Sequence, residues 1–128
     1  MKVVIVGQGY VGLPVSMRAV EIGHTVVGLE KDPRRAARLA SADSFVEDVS
    51  DEALGAALGT GRYTPTSLIA EAKDFDVAVI TVPTPLREGM PDLSFIEIAA
   101  QELAPYVTSG STVILESTTY PGTTEQLM

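Results

Sequence analysis

The 128-residue chain has no cysteine and one histidine, and its 9 basic side chains are outnumbered by 17 acidic ones. Without cysteine these residues can form no disulfide framework, no cysteine metal site and no thiol nucleophile, and no metal site is expected. The lone His24 lies in Gly23-His24-Thr25, between a helical stretch and an apolar run. A turn residue closing the helix end is its expected role, rather than catalysis. The formal charge of -8 argues against unaided binding to nucleic acid, because a phosphate backbone calls for a basic surface. No apolar run approaches the ~20 residues that a spanning helix needs. No basic segment leading into a signal-peptide core opens the chain. A soluble, cytoplasmic protein with neither membrane nor nucleic acid as partner is therefore expected. Internal repeats at solenoid spacing and low-complexity tracts are also missing. The length suits one domain, 1–128, large enough for an ordinary core without cross-links.

What the chain does have is Val3-Val4-Ile5-Val6 running straight into Gly7-Gln8-Gly9-Tyr10-Val11-Gly12. A β-branched run, apolar on both faces, suits a central parallel strand covered by helices on each side. The following stretch reads as a helix from Val11 to Ile22. Val11, Val15, Ala19 and Ile22 form one stripe with Leu13, Met17 and Val20 beside it, and Pro14 falls in the first turn, where its missing N–H is harmless. Glycines between a strand and a helix are the context that makes Gly-x-Gly-x-x-Gly a dinucleotide signal. Gly7 lets the chain turn off the strand, Gly9 lets a pyrophosphate approach the backbone, and Gly12 lets the helix pack closely on the sheet. The helix N-terminus then offers N–H groups and the positive end of its dipole to the anion.

A second apolar run, Thr25 to Leu29, ends at Glu30, 18 positions beyond Gly12. A dinucleotide fingerprint has an acid about 20 residues on, which accepts hydrogen bonds from the ribose hydroxyls. Glu30 would repel a 2'-phosphate and so favours NAD over NADP. Lys31, Arg34 and Arg35 just behind it could instead welcome that phosphate, or be plain surface charges. Glu30 itself could be a solvated strand-end carboxylate.

Asp32-Pro33 opens a helix to about Ala40, with Asp as cap and Pro in the first position. Ser41 to Val49 reads as an acidic loop. Ser50 caps a helix carrying Ala53, Leu54, Ala57 and Leu58, stopped by Gly59 and Gly61. A third strand is expected near residues 62–64, with a short helix from Pro65-Thr66-Ser67 to about Ala72. Asp76 to Val82 is a further apolar strand ending in Pro83-Thr84-Pro85, where the prolines break the ladder at the carboxyl end, the place for ligands in open α/β sheets. Pro83 and Thr84 face the cofactor cleft in this reading, although Thr84 could be a simple turn residue. Arg87 could reach an anionic group or be an exposed loop arginine. Pro91-Asp92-Leu93-Ser94 opens a helix with Ile96, Ala99, Ala100, Leu103 and Val107 on one face. Thr112 to Leu115 is a last buried-type strand, and hydroxyl residues crowd the stretch that follows it.

These elements predict an α/β Rossmann-type fold, a doubly wound parallel sheet in three α/β/α layers with strand order 3-2-1-4-5. Strands are expected near 2–6, 25–29, 62–64, 76–82 and 112–115, with the nucleotide at the switch between the first and fourth. One sheet edge and some apolar surface should stay uncovered and promote self-association.

Four stretches carry a family likeness: Gly7 to Pro14, Val82-Pro83-Thr84-Pro85, Pro91-Asp92-Leu93-Ser94 and Glu116-Ser117-Thr118-Thr119-Tyr120-Pro121-Gly122-Thr123-Thr124. Together they resemble the N-terminal domain of the UDP-glucose/GDP-mannose 6-dehydrogenase family. The last stretch, with Ser44-Phe45-Val46 and Asp51-Glu52-Ala53-Leu54, looks most like the UDP-N-acetylhexosamine branch. The resemblance implies oxidation of a sugar C6 alcohol to a carboxylate with two NAD, through a thiohemiacetal on a cysteine. It implies Gly7, Gly9, Tyr10 and Val11 at the pyrophosphate, with Gly12 in the same cofactor-binding loop, Glu30 at the adenosine ribose, Arg35 at the adenosine end, and Pro83 and Thr84 at the cofactor. Thr118 matches an active-site threonine that contacts cofactor and helps place water and substrate. Glu30 stands where Asp is commoner, and Arg35 where Lys is frequent.

The family's cysteine and its lysine and asparagine partners belong to central and C-terminal regions that have no counterpart here. The resemblance therefore implies a cofactor domain of a longer, homo-oligomeric enzyme, able to hold NAD but not to turn over. Two other readings stay open from the residues alone. One is another NAD(P)-dependent dehydrogenase, of 3-hydroxyacyl or 6-phosphogluconate type, and the other is a nucleotide-sensing module without catalysis.

Overall fold

The computed structural model describes residues 1–82 and 86–116. In chain order the elements are β1 (Lys2–Val6), α1 (Gly12–Glu21), β2 (Thr25–Leu29), α2 (Pro33–Ala40), α3 (Asp51–Gly59) and β3 (Tyr63–Thr66), then β4 (Val77–Ile80), β5 (Leu86–Arg87), β6 (Met90–Pro91), α4 (Ser94–Leu103) and β7 (Thr112–Leu115). Single 3-10 turns span Ile69–Ala72 and Ala104–Tyr106. No described helix is long and apolar enough to cross a membrane.

The apolar run at the start of the chain becomes β1, with Val3, Val4 and Ile5 buried. It pairs in parallel with β2 on one side and β4 on the other. The sheet is completed by β3 beside β2 and β7 beside β4, in the order β3-β2-β1-β4-β7. That is the expected 3-2-1-4-5 order, with β7 as its fifth strand. Because side chains alternate across the pleat, β1 feeds two cores. Val3 and Ile5 pack with Leu13 of α1, Leu39 of α2 and Leu54 of α3 on one face. Val4 packs with Phe75, Ala78 and, from α4, Leu103 on the other. The outcome is three layers with the carboxyl ends of β1, β2 and β4 gathered at one end.

Several boundaries differ from the sequence reading. Pro65 does not start a helix. It lies in β3, opposite Gly28 of β2; on an edge strand a missing N–H is tolerated. The following helical segment is only a 3-10 turn. The fourth strand is shorter than 76–82, spanning Val77–Ile80. Helix α1 buries Leu13, Ser16 and Val20, whereas Ile22 is exposed, so the stripe through Ile22 is corrected to one through Ser16. Helix α4 stops at Leu103 because Pro105 lacks an N–H and its ring clashes with a continuing turn. Val107 beyond it is exposed, as is Ala100, which lies off the face that buries Ile96, Ala99 and Leu103. Strand β7 is not of the buried type, since Val113 and Ile114 are 39% and 42% exposed. The loop after residue 85 contains an unforeseen antiparallel hairpin, β5–β6. At the end of α1 the backbone N–H of His24 donates to Ala19 (3.0 Å), closing the helix as expected.

Candidate cofactor-binding site

At the carboxyl end of β1 the chain turns at Gly7, whose φ of 92° lies in the left-handed region that favours glycine. The Gly7 N–H donates to the Leu29 carbonyl (2.8 Å), fixing the turn to the end of β2. A Cβ at Gly12 would lie 1.8 Å from the Gly7 carbonyl oxygen and 2.5 Å from Thr81 Oγ1, so only glycine allows α1 to start this close to the loop. Nothing lies within 4 Å of a Cβ placed on Gly9, so the space above it is open. Helix α1 has no side-chain cap and no acidic residue in its first turn. Its positive end is therefore available to an anion from outside the helix.

The loop is held from beneath by polar groups. Gln8 is fully buried. Its Nε2 donates to the carbonyls of Ile5 (3.2 Å) and Gly7 (3.1 Å), while its Oε1 accepts from Ser16 Oγ (3.1 Å) and the Tyr63 hydroxyl (2.7 Å). Burial first, and then the charge of Glu30, push the Tyr63 phenol well above its ordinary range, so it stays a donor. From the end of β4, Thr81 Oγ1 lies 2.8 Å from both the Val6 and Gly7 carbonyls, its proton shared between them. Gln8, Ser16, Tyr63 and Thr81 escaped the sequence reading. Only Gln8 carried a signal, as a long polar side chain between two glycines of a buried turn.

Glu30, just past β2, is 7% exposed, which sets aside the solvated alternative. Its backbone N–H donates to the Thr66 carbonyl (2.8 Å), and its Oε2 accepts from the Asp32 N–H (3.2 Å). The basic residues behind it divide. Arg34 has a side chain 94% exposed and 3.8 Å from Asp32, and Lys31 reaches Glu102 of α4 at 3.7 Å. Arg35 is half-buried, with its guanidinium carbon 4.1 Å from the centre of the Phe45 ring.

A cavity of about 950 Å³ opens over this end of the sheet, and Gly7, Gly9, Tyr10, Val11, Glu30 and Arg35 line it together. Gly12 lies behind the loop rather than on the wall. Opposite, α4 contributes Phe95 and Ile98, which sequence reading had left unassigned. Arg87 lies outside this cavity, 3.4 Å from the carboxylate of Asp92. Hydrogen bonds from the Ser94 hydroxyl and N–H, and then Arg87, hold that carboxyl below the usual carboxylate range. Pro83, Thr84, Thr118 and the hydroxyl-rich stretch 117–124 lie outside the described residues. Among the described residues no cluster of His, Cys, Asp or Glu could hold a metal.

An open crevice at the switch point of a doubly wound sheet, with a glycine turn and an unclaimed helix N-terminus on one wall and a buried acid on the next, defines a Rossmann-type dinucleotide-binding domain. More specifically, residues 1–128 match the UDP-glucose/GDP-mannose dehydrogenase family, NAD binding domain, and the chain belongs to that family. It is 34% identical over 128 residues to the UDP-N-acetyl-D-mannosamine dehydrogenase of Pyrococcus horikoshii, covering 99% of this chain and 31% of the relative. The solved structure of a UDP-D-ManNAc dehydrogenase from that organism superposes with a TM-score of 0.92 over the same shares of the two chains. The UDP-N-acetyl-D-glucosamine 6-dehydrogenase of Pseudomonas aeruginosa is 38% identical over 130 residues, covering 98% of this chain and 29% of the relative. A ternary complex of GDP-mannose dehydrogenase from the same organism is 30% identical, with a TM-score of 0.87 over 98% of this chain and 30% of that one. The chain thus spans about three tenths of the length of these relatives.

Proposed function

We propose that residues 1–128 form the NAD-binding N-terminal domain of a cytoplasmic, homo-oligomeric nucleotide-sugar 6-dehydrogenase. Its substrate is a UDP-linked hexose or N-acetylhexosamine, and its uronate product feeds polysaccharide biosynthesis. The observation that carries the cofactor part is the pairing of open space over Gly9 at an uncapped helix end with the buried carboxylate of Glu30 on the same cavity. NAD, when bound, supplies the acceptor for hydride from the sugar C6. Gly7, Gly9, Tyr10 and Val11 hold the pyrophosphate against the start of α1, and Gly12 lets that helix begin close behind them. Glu30 accepts hydrogen bonds from the ribose hydroxyls and repels a 2'-phosphate, and Arg35 serves the adenosine end. Pro83 and Thr84 are assigned to the cofactor at the end of β4. Thr118 is assigned to cofactor contact and to placing water and substrate beside the nicotinamide.

The substrate assignment is supported by the relatives, which are dehydrogenases of UDP-N-acetylhexosamines and GDP-mannose. With no cysteine among these 128 residues, no thiohemiacetal can form on them, so they bind cofactor without turnover. Fluorescence titration of the chain with NADH is expected to show saturable enhancement, weaker with NADPH, and no NAD reduction when a UDP-sugar is added. No enhancement or protection at millimolar NADH, or a clear preference for NADPH, overturns the cofactor assignment.

A further inference from the structure

We propose that Phe45, in the loop between α2 and α3, is a positioning residue for the cofactor, its ring holding the Arg35 guanidinium at the adenosine end of the cavity. The proposal rests on the NAD reading above. The guanidinium carbon sits 4.1 Å from the ring centre, well inside the ~6 Å over which a cation is drawn to an aromatic face. Both side chains line the cavity that Glu30 also lines.

The ring is anchored on its own side. Phe45 packs against the core beneath α1, α2 and α3, and its neighbour Val46 is buried. Ser44 pins the loop on either side of the ring: its N–H donates to Asp51 Oδ1 (2.8 Å), and its Oγ accepts from the Val46 N–H (3.1 Å). The arginines of α2 are thereby sorted. Arg38 also approaches the ring, at 5.3 Å, yet Asp43 takes its Nε (2.9 Å) and Nη2 (3.2 Å), and it does not line the cavity. Arg34 points to solvent. Arg35 remains as the arginine of α2 that lines the cavity, and Phe45 holds it there.

The gain is pre-organisation. A free arginine side chain samples many rotamers, and one already stacked loses less freedom when a ligand arrives. Its N–H donors lie in the guanidinium plane, so stacking leaves them available for hydrogen bonding. Phe45 thus acts through Arg35.

NADH titrations of the wild-type chain, Phe45→Leu, Phe45→Tyr, Arg35→Met and the Phe45→Leu/Arg35→Met double variant test this. Phe45→Leu should weaken NADH binding about two- to fivefold, the worth of an exposed cation–π contact. Phe45→Tyr should bind like wild type. In the Arg35→Met background, Phe45→Leu should change nothing further, the coupling expected of residues that act as a unit. If Phe45→Leu fails to fold by circular dichroism, Phe45→Met keeps the packing volume without the aromatic face and replaces it. Wild-type affinity in the leucine or methionine variant, or losses that simply multiply in the double variant, overturn the proposal. A wild-type chain that binds no NADH overturns the cofactor reading itself, and this inference with it.

Discussion

A methyl group at Gly12 would meet the Gly7 carbonyl oxygen at 1.8 Å, and since that oxygen belongs to the backbone no side-chain movement relieves it. Gly12→Ala should cost about 1–3 kcal/mol, the range for forced overpacking, and abolish NADH binding, measured by urea unfolding and fluorescence titration. Gly9→Ala is its counterpart. With no atom within 4 Å, the thermal midpoint should hold while NADH affinity falls, because the methyl occupies the space left for phosphate. The motif marks both glycines, but only the packing separates the one that limits folding from the one that limits binding. Tyr63 gives a pH test. Its folded pKa is raised above 10.0 by burial and then by Glu30, so above that ordinary value the unfolded chain loses a proton that the folded chain keeps. Stability from this group is therefore complete below about pH 10 and declines as pH rises toward the folded pKa. Tyr63→Phe should remove that part of the alkaline decline, at a cost near neutrality of about 0.5–1.5 kcal/mol for the donor lost to Gln8. Urea unfolding of both proteins from neutral pH into the alkaline range measures the difference.

Among the elements, α2 was read almost completely from its ends. Asp32 caps it, accepting from the Arg34 N–H at 2.9 Å, and Pro33 occupies the first position. Asp32→Ala should destabilise the chain by about 0.5–2 kcal/mol in chemical denaturation. It should also weaken NADH binding, since α2 carries Arg35 and a frayed first turn would displace the backbone N–H of residue 32, which the substitution keeps, from Glu30. The Ser50 cap of α3 was equally legible, its Oγ accepting from the Ala53 N–H at 3.0 Å. Strand β3 was legible in its existence but not in its end, because Pro65-Thr66 reads as a helix start and the pairing that carries the strand on to Thr66 depends on β2, remote in sequence. The β5–β6 hairpin was missed for a related reason. Its two-residue turn has φ of 54° at Glu88 and 80° at Gly89, and Glu is a poor marker for a position that usually calls for Asn, Asp or Gly.

Across the whole molecule the unbroken apolar run of β1, buried on both faces, and the apolar character of β2 and β4 were enough for the sheet order, since right-handed crossovers leave few alternatives. Exposure of the fifth strand was not legible, because Thr-Val-Ile-Leu has the same composition whether or not helices cover it. Strand β7 pairs with β4 and with no other described strand, and Val113 and Ile114 are both substantially exposed. The chain in isolation should therefore self-associate through this edge. Sedimentation at rising concentration should show a growing weight-average mass, and a monodisperse monomer at high concentration would sink that expectation. The buried amide of Gln8 has a different reach. It meets α1 at Ser16 and β3 at Tyr63, and a Cβ on Gly28 would come within 2.5 Å of its Oε1. Exchange of the glutamine for a smaller residue would leave the buried Tyr63 phenol without its acceptor, whereas the Ser16 hydroxyl would keep the Gly12 carbonyl at 2.9 Å. Any gain of bulk at Gly28 would evict the amide. Anyone grafting this turn into another scaffold must therefore move positions 8, 16, 28 and 63 together, although they are scattered over half of the chain.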